Sequence, residues 1–589
     1  MLRRRKNKHL TLALSPSTIA ASRQRGAVVD RQTCDVLVVG AGAAGLAAAV
    51  TAAHYGASVI LAEKAPVIGG TSAWSGGWIW VPCTAVAHRH GIVEDISEPR
   101  RYLSAVLGNG FDADRVDAFL AAAPEMVDFF ETRTALRFDC GARIPDTYGD
   151  LPGAGTGGRS VIAQPFDGRA LGADIALLRR PLPETAFLGM TIQAGPDLRA
   201  FLTATRSVSS ALYVAQRLGR HLWDLARHGR GMQLRNGNAL VARLLKSARD
   251  AGVDIRPSHP VQRLTRDADG VTGAVLQGPS GPVEIAARRG VILAAGGYPQ
   301  DAARKSASFP HPGHHRTLAV PEATGDGLAL AEAVGGGQAT DLAAPAAFCP
   351  VSEVVWPDGR KGTFPHIIDR GKPGVIGVLA DGRRFCNEGL GYHDYVRDML
   401  RALPEGAEPM SWLVCDHRFL RRYGLGIVRP APVPVGPWIK SGYLKTGATP
   451  RALATACGID PDGLRETLET FNTFARRGED PAFHRGTTPY MRLQGDPDIT
   501  PNPCLAPIET APFYAVRLVP GSFGTFAGLR TDCLARVLDH AGQPVAGLYA
   551  AGADMASVMG GHYPAGGINL GPALTFGFVA GRHAAGGAA

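Results

Sequence analysis

Two glycine-rich stretches of the 589-residue chain carry residue types suited to chemistry. The first is Gly40-Ala-Gly42-Ala-Ala-Gly45, directly after the apolar run Asp35 to Val39 and before the Ala-rich segment Leu46 to Tyr55. In that order, Gly40 permits a tight turn, Gly42 lets the backbone approach a pyrophosphate, and Gly45 lets a helix lie close on a strand. The amides around Ala43 and Ala44 then open a helix whose positive end faces the phosphates. The second stretch, GGHYPAGGINLGPALTFGF from Gly560, surrounds one tyrosine with glycine. Its Pro572 suits the first turn of a helix running from Ala573 to about Ala585. The glycines before that helix free backbone N–H groups to point at whatever lies in front.

The elements that must position these residues follow from the pattern around them. A second strand, Ser58 to Ala62, delivers Glu63 and Lys64, with the Glu63 carboxylate placed for a ribose diol. Strand, turn, helix, second strand and acid together specify a dinucleotide site, where the glycine motif alone would be weak. Shortly after comes a second cradle of small and hydroxyl residues, Gly70, Thr71 and Ser72, then Ser75, Gly76 and Gly77. Two such cradles suit an extended FAD, held without a covalent link, better than NAD. GVILAAGGY, with Ala295 and Gly296, and GLYAAGADMAS, with Gly552 and Asp554, read as buried strands ending in glycine turns. Asp554 is expected on the ribityl or phosphate side, with Asn569 and Leu570 also among the cofactor-binding residues.

Composition narrows the class. Of the formal charge of +10, +7 falls in Met1 to Arg31, which has eight Lys/Arg against Asp30, so the rest carries +3. Nucleic acid is therefore not an expected partner. The basic start is followed by LTLALSPSTIAAS, short and broken by Pro16, which makes a poor signal peptide. Residues 1–32 are expected to be a disordered extension, or sequence ahead of a true start at Val28 or Val29. Nine scattered cysteines without a Cys-x-x-Cys pair point away from zinc and disulfides, so no metal is expected and a cytoplasmic location fits.

Together these motifs resemble the flavoprotein family of fumarate reductases and 3-ketosteroid dehydrogenases. The resemblance implies an α/β fold: a discontinuous Rossmann-like FAD-binding domain with an inserted α+β catalytic domain. The cofactor domain is expected over 33–323 and 521–589, with a helical insertion at about 196–232, and the catalytic domain over 324–520. Within that family HYPAGG and Gly571-Pro-Ala-Leu-Thr-Phe-Gly577 are similar to the segment of 3-ketosteroid Δ1-dehydrogenases that holds the substrate ketone. The resemblance places that role on Tyr563 and Gly567, two donors suited to a developing enolate. GRRFCNEGLGYHDY is similar to the segment that carries the proton-abstracting tyrosine, here Tyr392, and PDTYGDLPG to the one whose tyrosine shares its proton, here Tyr148. A phenol, with a pKa of ~10, needs such help.

The function implied is 1,2-desaturation of a hydrophobic 3-ketosteroid-like substrate, with electrons passing to an external acceptor such as a quinone. The related Δ4-(5α)-dehydrogenases resemble Tyr-x-Ser at the ketone loop, whereas Ala565 stands here. A fumarate reductase would need cationic clamps for two carboxylates, but Tyr392 occupies the place of its arginine. A flavin-binding protein without catalysis is the remaining alternative.

One further segment, Val208 to His228, spaces Leu212, Ala215, Leu218, Leu222 and Leu225 along one helix face, among Arg206, Arg217, Arg220, Arg227 and Arg230. The plainer expectation is a helix covering the cofactor domain or meeting another subunit. The alternative is peripheral docking at the inner membrane face.

Overall fold

The computed structural model describes residues 30–587. The basic extension therefore lies outside the described residues, except that residues 30–32 are already strand. Strand β1 (Asp30–Val39) is longer than its apolar core because Asp30 to Ala287-facing Cys34 pair with the long partner β4 (Gly281–Leu293). Here nonlocal pairing extends a strand that local hydrophobicity starts only at Asp35.

Helix α1 (Ala43–His54) and β2 (Val59–Ala62) follow. Five parallel strands then stand in the order β9–β4–β1–β2–β3, with β3 at Asp254–Arg256 and β9 at Pro544–Ala550. This is a doubly wound arrangement in which ligands meet the carboxyl ends of the strands. Both β4 and β9 end in glycine turns, so two distant parts of the chain close one crevice. Helix α5 (Leu570–Ala584) packs along α1, where a Cβ on Gly577 or Gly581 would meet α1 carbonyl oxygens at 2.5 and 2.4 Å.

The second sheet, antiparallel apart from a short parallel pairing of Arg316–Thr317 with Gly521–Ser522, is inserted between those parts. It runs β5 (Ala346–Val355), β8 (Phe513–Thr525), β7 (Ser411–Asp416) and β6 (Val375–Val378), with Lys361–Pro365 beside β5. Helix α4 (Tyr392–Ala402) lies against β5 and starts at the cleft between the sheets.

Helix α2 (Val208–His228) turns only part of its expected apolar face inward: Leu218 and Leu225 are half-buried, whereas Leu212, Ala215 and Leu222 face out. Arg217, His221 and Asp224 are buried, while Val208, Leu212, Leu222 and Trp223 are 79, 68, 54 and 68% exposed. Arg217 is drawn inward by Asp197, at 3.0 Å, and by the Thr191 carbonyl. Arg230 turns in likewise, donating to the carbonyls of Ile175 and Leu178. Helix α3 (Asn236–Asp250), by contrast, buries its apolar face beside α1 in the ordinary way.

Candidate active site

A cavity of about 1640 Å³ runs from the turn after β1 to the start of α4. That exceeds the roughly 300–1,000 Å³ of ordinary small-molecule sites, so it has room for a dinucleotide and a second ligand. Its glycines fall into two kinds. A Cβ on Gly45 would sit 1.8 Å from the Gly40 carbonyl oxygen, and one on Gly40, whose φ is +102°, would sit 2.3 Å from that of Ala294. These two glycines let helix and strands close up. A Cβ on Gly42 would meet only the Ser72 Oγ at 3.7 Å, on Gly70 only Gly42 at 3.8 Å, and on Gly76 only Trp78 at 4.0 Å. Those backbones border open space, the form a cradle for a pyrophosphate takes.

Glu63 stands at the end of β2 with its carboxylate accepting from the amides of Ala41 and Ala65, both at 2.8 Å. Burial pushes its acidity toward the neutral form while the two amides hold it down. Lys64 lines the cavity and donates to Thr324 and Asp326. The hydroxyls of the second cradle are already engaged by protein. Ser72 accepts from the Ala43 amide, Thr71 from that of Val320, and Ser75 donates to the Ser72 carbonyl while accepting from Gly77. Ala43, Ala44, Ala295, Gly296, Gly552, Asn569 and Leu570 all line the cavity.

Asp554 does not face it. The side chain is fully buried and accepts from the amides of Ala295 at 2.6 Å and Gly297 at 2.8 Å. This carboxylate fastens the turn after β4 to the turn after β9, and burial raises its pKa to about 6. It shapes the crevice rather than reaching into it.

At the far end the phenols of Tyr392 and Tyr563 meet. Tyr392 opens α4, Tyr563 is 6% exposed, and their ring centroids are 4.9 Å apart at 68°. Burial drives both phenols above the ordinary tyrosine range, and for Tyr392 the neighbouring Tyr563 and Tyr490 add to the rise. Gly567 lines the same space with φ +107°, where a Cβ would strike the Trp80 amide at 2.6 Å. Its carbonyl accepts from Trp80, while its own N–H makes no hydrogen bond among the described residues. The loop is held from behind by Tyr102 and Thr147, which both donate to the Pro564 carbonyl, and by Ser160, which donates to that of Gly566. The result is a phenol and an unpaired amide on one loop that line the cavity beside a second phenol.

Tyr148 stands apart from this group. Its hydroxyl donates to the Asp394 carboxylate at 2.9 Å, and the phenol beside Tyr392 is Tyr563 instead. Three residues were missed in the sequence. Tyr490, on a short helix at Pro489–Gln494, lines the cavity, Asp394 receives the Tyr148 proton donor, and Phe523 packs edge-on to Tyr392. The Tyr-x-Asp spacing of Tyr392 and Asp394 would have been the one available clue.

A family model described as FAD binding domain matches residues 35–570. The chain belongs to that family. As a flavoprotein it is 42% identical to a 4-oxocyclohex-2-ene-1-carboxylate 5-dehydrogenase of Sinomonas cyclohexanicum, over 94% of each chain. It is 35% identical to a 3-oxosteroid 1-dehydrogenase of Mycobacterium tuberculosis, over 94% of this chain and 98% of that one. Among solved structures, a 3-ketosteroid Δ1-dehydrogenase from Sterolibacterium denitrificans, in complex with 1,4-androstadiene-3,17-dione, superimposes with a TM-score of 0.87. That pair shares 33% identity and covers 94% of this flavoprotein and all of the other chain. FAD is thus the cofactor. Among the described residues no cluster of histidine, cysteine, aspartate or glutamate could hold a metal, and no helix is long and apolar enough to cross a membrane.

Proposed function

We propose that this flavoprotein desaturates the 1,2-bond of a 3-ketosteroid. The observation that supports the reading is that Tyr563, Gly567 with its unpaired N–H, and Tyr392 line one cavity, with the two phenol rings in contact. The Tyr563 hydroxyl and the Gly567 amide hold the ketone oxygen and stabilise the charge that builds on it as the α proton leaves. Tyr392 takes that proton. Bound FAD, cradled by Gly42, Gly70, Gly76 and Glu63, supplies the acceptor for the hydride equivalent leaving the β carbon. An external acceptor such as a quinone then draws the electrons away. Tyr148, bound to Asp394 two residues beyond Tyr392, acts on that base through the first turn of α4.

A smaller ring ketone is the second reading, favoured by the 42% identity to an enzyme named for an oxocyclohexene carboxylate. The reaction would be the same, and only the substrate would differ. Anaerobic mixing with a 3-ketosteroid and, separately, with 4-oxocyclohex-2-ene-1-carboxylate decides between them: the true substrate bleaches the flavin rapidly at low concentration.

Peripheral attachment to a membrane belongs to the same proposal. Val208, Leu212, Leu222 and Trp223 form an exposed apolar stripe on α2, with Arg220 and Arg227 exposed beside it. Such a face inserts at the boundary of an anionic bilayer, the medium in which a steroid accumulates.

A further inference from the structure

Tyr392 presents a difficulty for any base role. A phenol accepts a proton only when it carries negative charge, yet burial and two neighbouring phenols push Tyr392 the other way. Something nearby must favour the anion. The groups that face it come from every side: Tyr563 from the glycine loop, Tyr490 from the Pro489–Gln494 helix, Cys349 from β5 and Arg370 from the turn before β6. Only one of these is a cation.

Arg370 is 1% exposed, and its guanidinium carbon lies 5.8 Å from the centroid of the Tyr392 ring. One nitrogen, Nη1, donates to the carbonyls of Glu388 and Leu390, both at 2.5 Å. The other two, Nε and Nη2, are buried without a partner of good hydrogen-bond geometry, and the group they belong to lies close enough to the Tyr490 hydroxyl to favour its anion. Among the described residues Arg370 makes no ion pair. The carboxylates close by are committed elsewhere. Glu388 is held by Arg384 and Arg485, and Asp369 by His366 and the Gly426 amide. Asp394, in the first turn of α4, takes the Tyr148 hydroxyl. A buried guanidinium with no carboxylate of its own is costly, and such perturbed charges cluster at functional sites.

We propose that Arg370 is a positioning residue that stabilises negative charge on the Tyr392–Tyr490 phenol pair, so that Tyr392 can take the substrate's α proton. The proposal rests on the assignment of Tyr392 as base. Arg370 does not line the cavity, so it acts from behind the phenols and touches neither substrate nor flavin. It already opposes the effect of burial on Tyr490. Charge moves in one direction only: the α proton passes to phenolate oxygen, and the guanidinium keeps its protons throughout.

The test compares wild type, Arg370→Gln and Arg370→Lys as holoenzymes. With a ketone substrate, the rate of anaerobic flavin bleaching is followed against pH. Arg370→Gln is expected to move the rising limb up by about one pH unit, which reads as a roughly tenfold loss at neutral pH that disappears at high pH. Arg370→Lys, which keeps the charge, is expected to recover most of it. A loss of the same factor at every pH, or an unmoved limb, overturns the proposal, since either marks a purely structural arginine. A second measurement needs no substrate. The ultraviolet difference between wild type and Tyr392→Phe, titrated with alkali, reports that phenol alone. In wild type it should ionise at lower pH than the same difference taken in the Arg370→Gln background, or in Arg370→Met where that variant does not fold, and equal ionisation overturns the proposal. Inactivity toward every 3-ketosteroid would count against the substrate reading and leave this titration intact.

Discussion

Tyr392 and Tyr563 meet edge to face, centroids 4.9 Å apart, although 171 positions separate them in the chain and different sheets support them. One arrives at the first residue of a helix on the inserted sheet, the other on a loop tied to the cofactor domain through Pro564 and Gly567. The site therefore exists only when both parts of the fold are docked. Oxygen holding and proton removal can be separated by mutation because each phenol hangs on its own support.

Removing the Tyr563 hydroxyl should weaken ketone binding and slow turnover together, because its donor serves both ground and transition states. Titrating a 3-ketosteroid into Tyr563→Phe should give a higher dissociation constant along with a lower bleaching rate. An unchanged dissociation constant would take Tyr563 out of ketone recognition.

The two kinds of cradle glycine should respond differently to one methyl group. Gly45→Ala puts a carbon 1.8 Å from a carbonyl oxygen, so it should cost several kcal/mol and lower the melting temperature sharply. Gly42→Ala meets nothing nearer than 3.7 Å in the protein and should leave the apo fold stable while FAD retention falls. Melting curves and the flavin-to-protein absorbance ratio measure both. In wild type, acid precipitation should leave the yellow colour in the supernatant, and colour in the pellet would mean a covalent link.

Asp394 offers a pH signature. Burial raises its pKa to about 6, whereas an unfolded carboxyl titrates near ~3.9. The sign follows: the folded state binds this proton more tightly, so its contribution is full below pH ~4 and fades as pH rises through about 6. Asp394→Asn removes that dependence. Relative to the variant, wild type should lose about 2 kcal/mol between those limits, and a constant difference across the range would contradict the burial argument.

Vesicle flotation tests the stripe on α2. Trp223→Glu or Leu212→Glu should release the protein from anionic vesicles, and Arg220→Gln with Arg227→Gln should weaken binding at low salt only. Arg217 belongs to the interior with Asp197, so replacing it should lower stability instead. Wild type that does not float would end the idea.

How much of this was legible in the sequence depended on distance along the chain. The Gly40 to Glu63 unit was readable because every constraint in it is local: Gly45 must be glycine because Gly40, five residues earlier, approaches it. The length of β1 was not, since Asp30 to Gln32 become strand only by pairing with Val283 to Ile285. Nor was the facing of α2, where periodicity finds the apolar stripe but only the Arg217–Asp197 pair decides that part of it points outward. Asp554 illustrates a third case. Its position beside a glycine turn suggested ligand contact, and the partners it actually satisfies, Ala295 and Gly297, lie more than 250 residues away.

The most direct measurement is anaerobic stopped-flow of wild type and Tyr392→Phe against one 3-ketosteroid, with the product identified. Wild type should bleach its flavin and yield the 1-ene, while Tyr392→Phe, which keeps FAD and binds the steroid, should do so roughly 10²-fold or more slowly, the scale of a lost general base. Bleaching at the wild-type rate in Tyr392→Phe, or a 4-ene product without a 1-ene from a 5α-3-ketosteroid, would contradict the account.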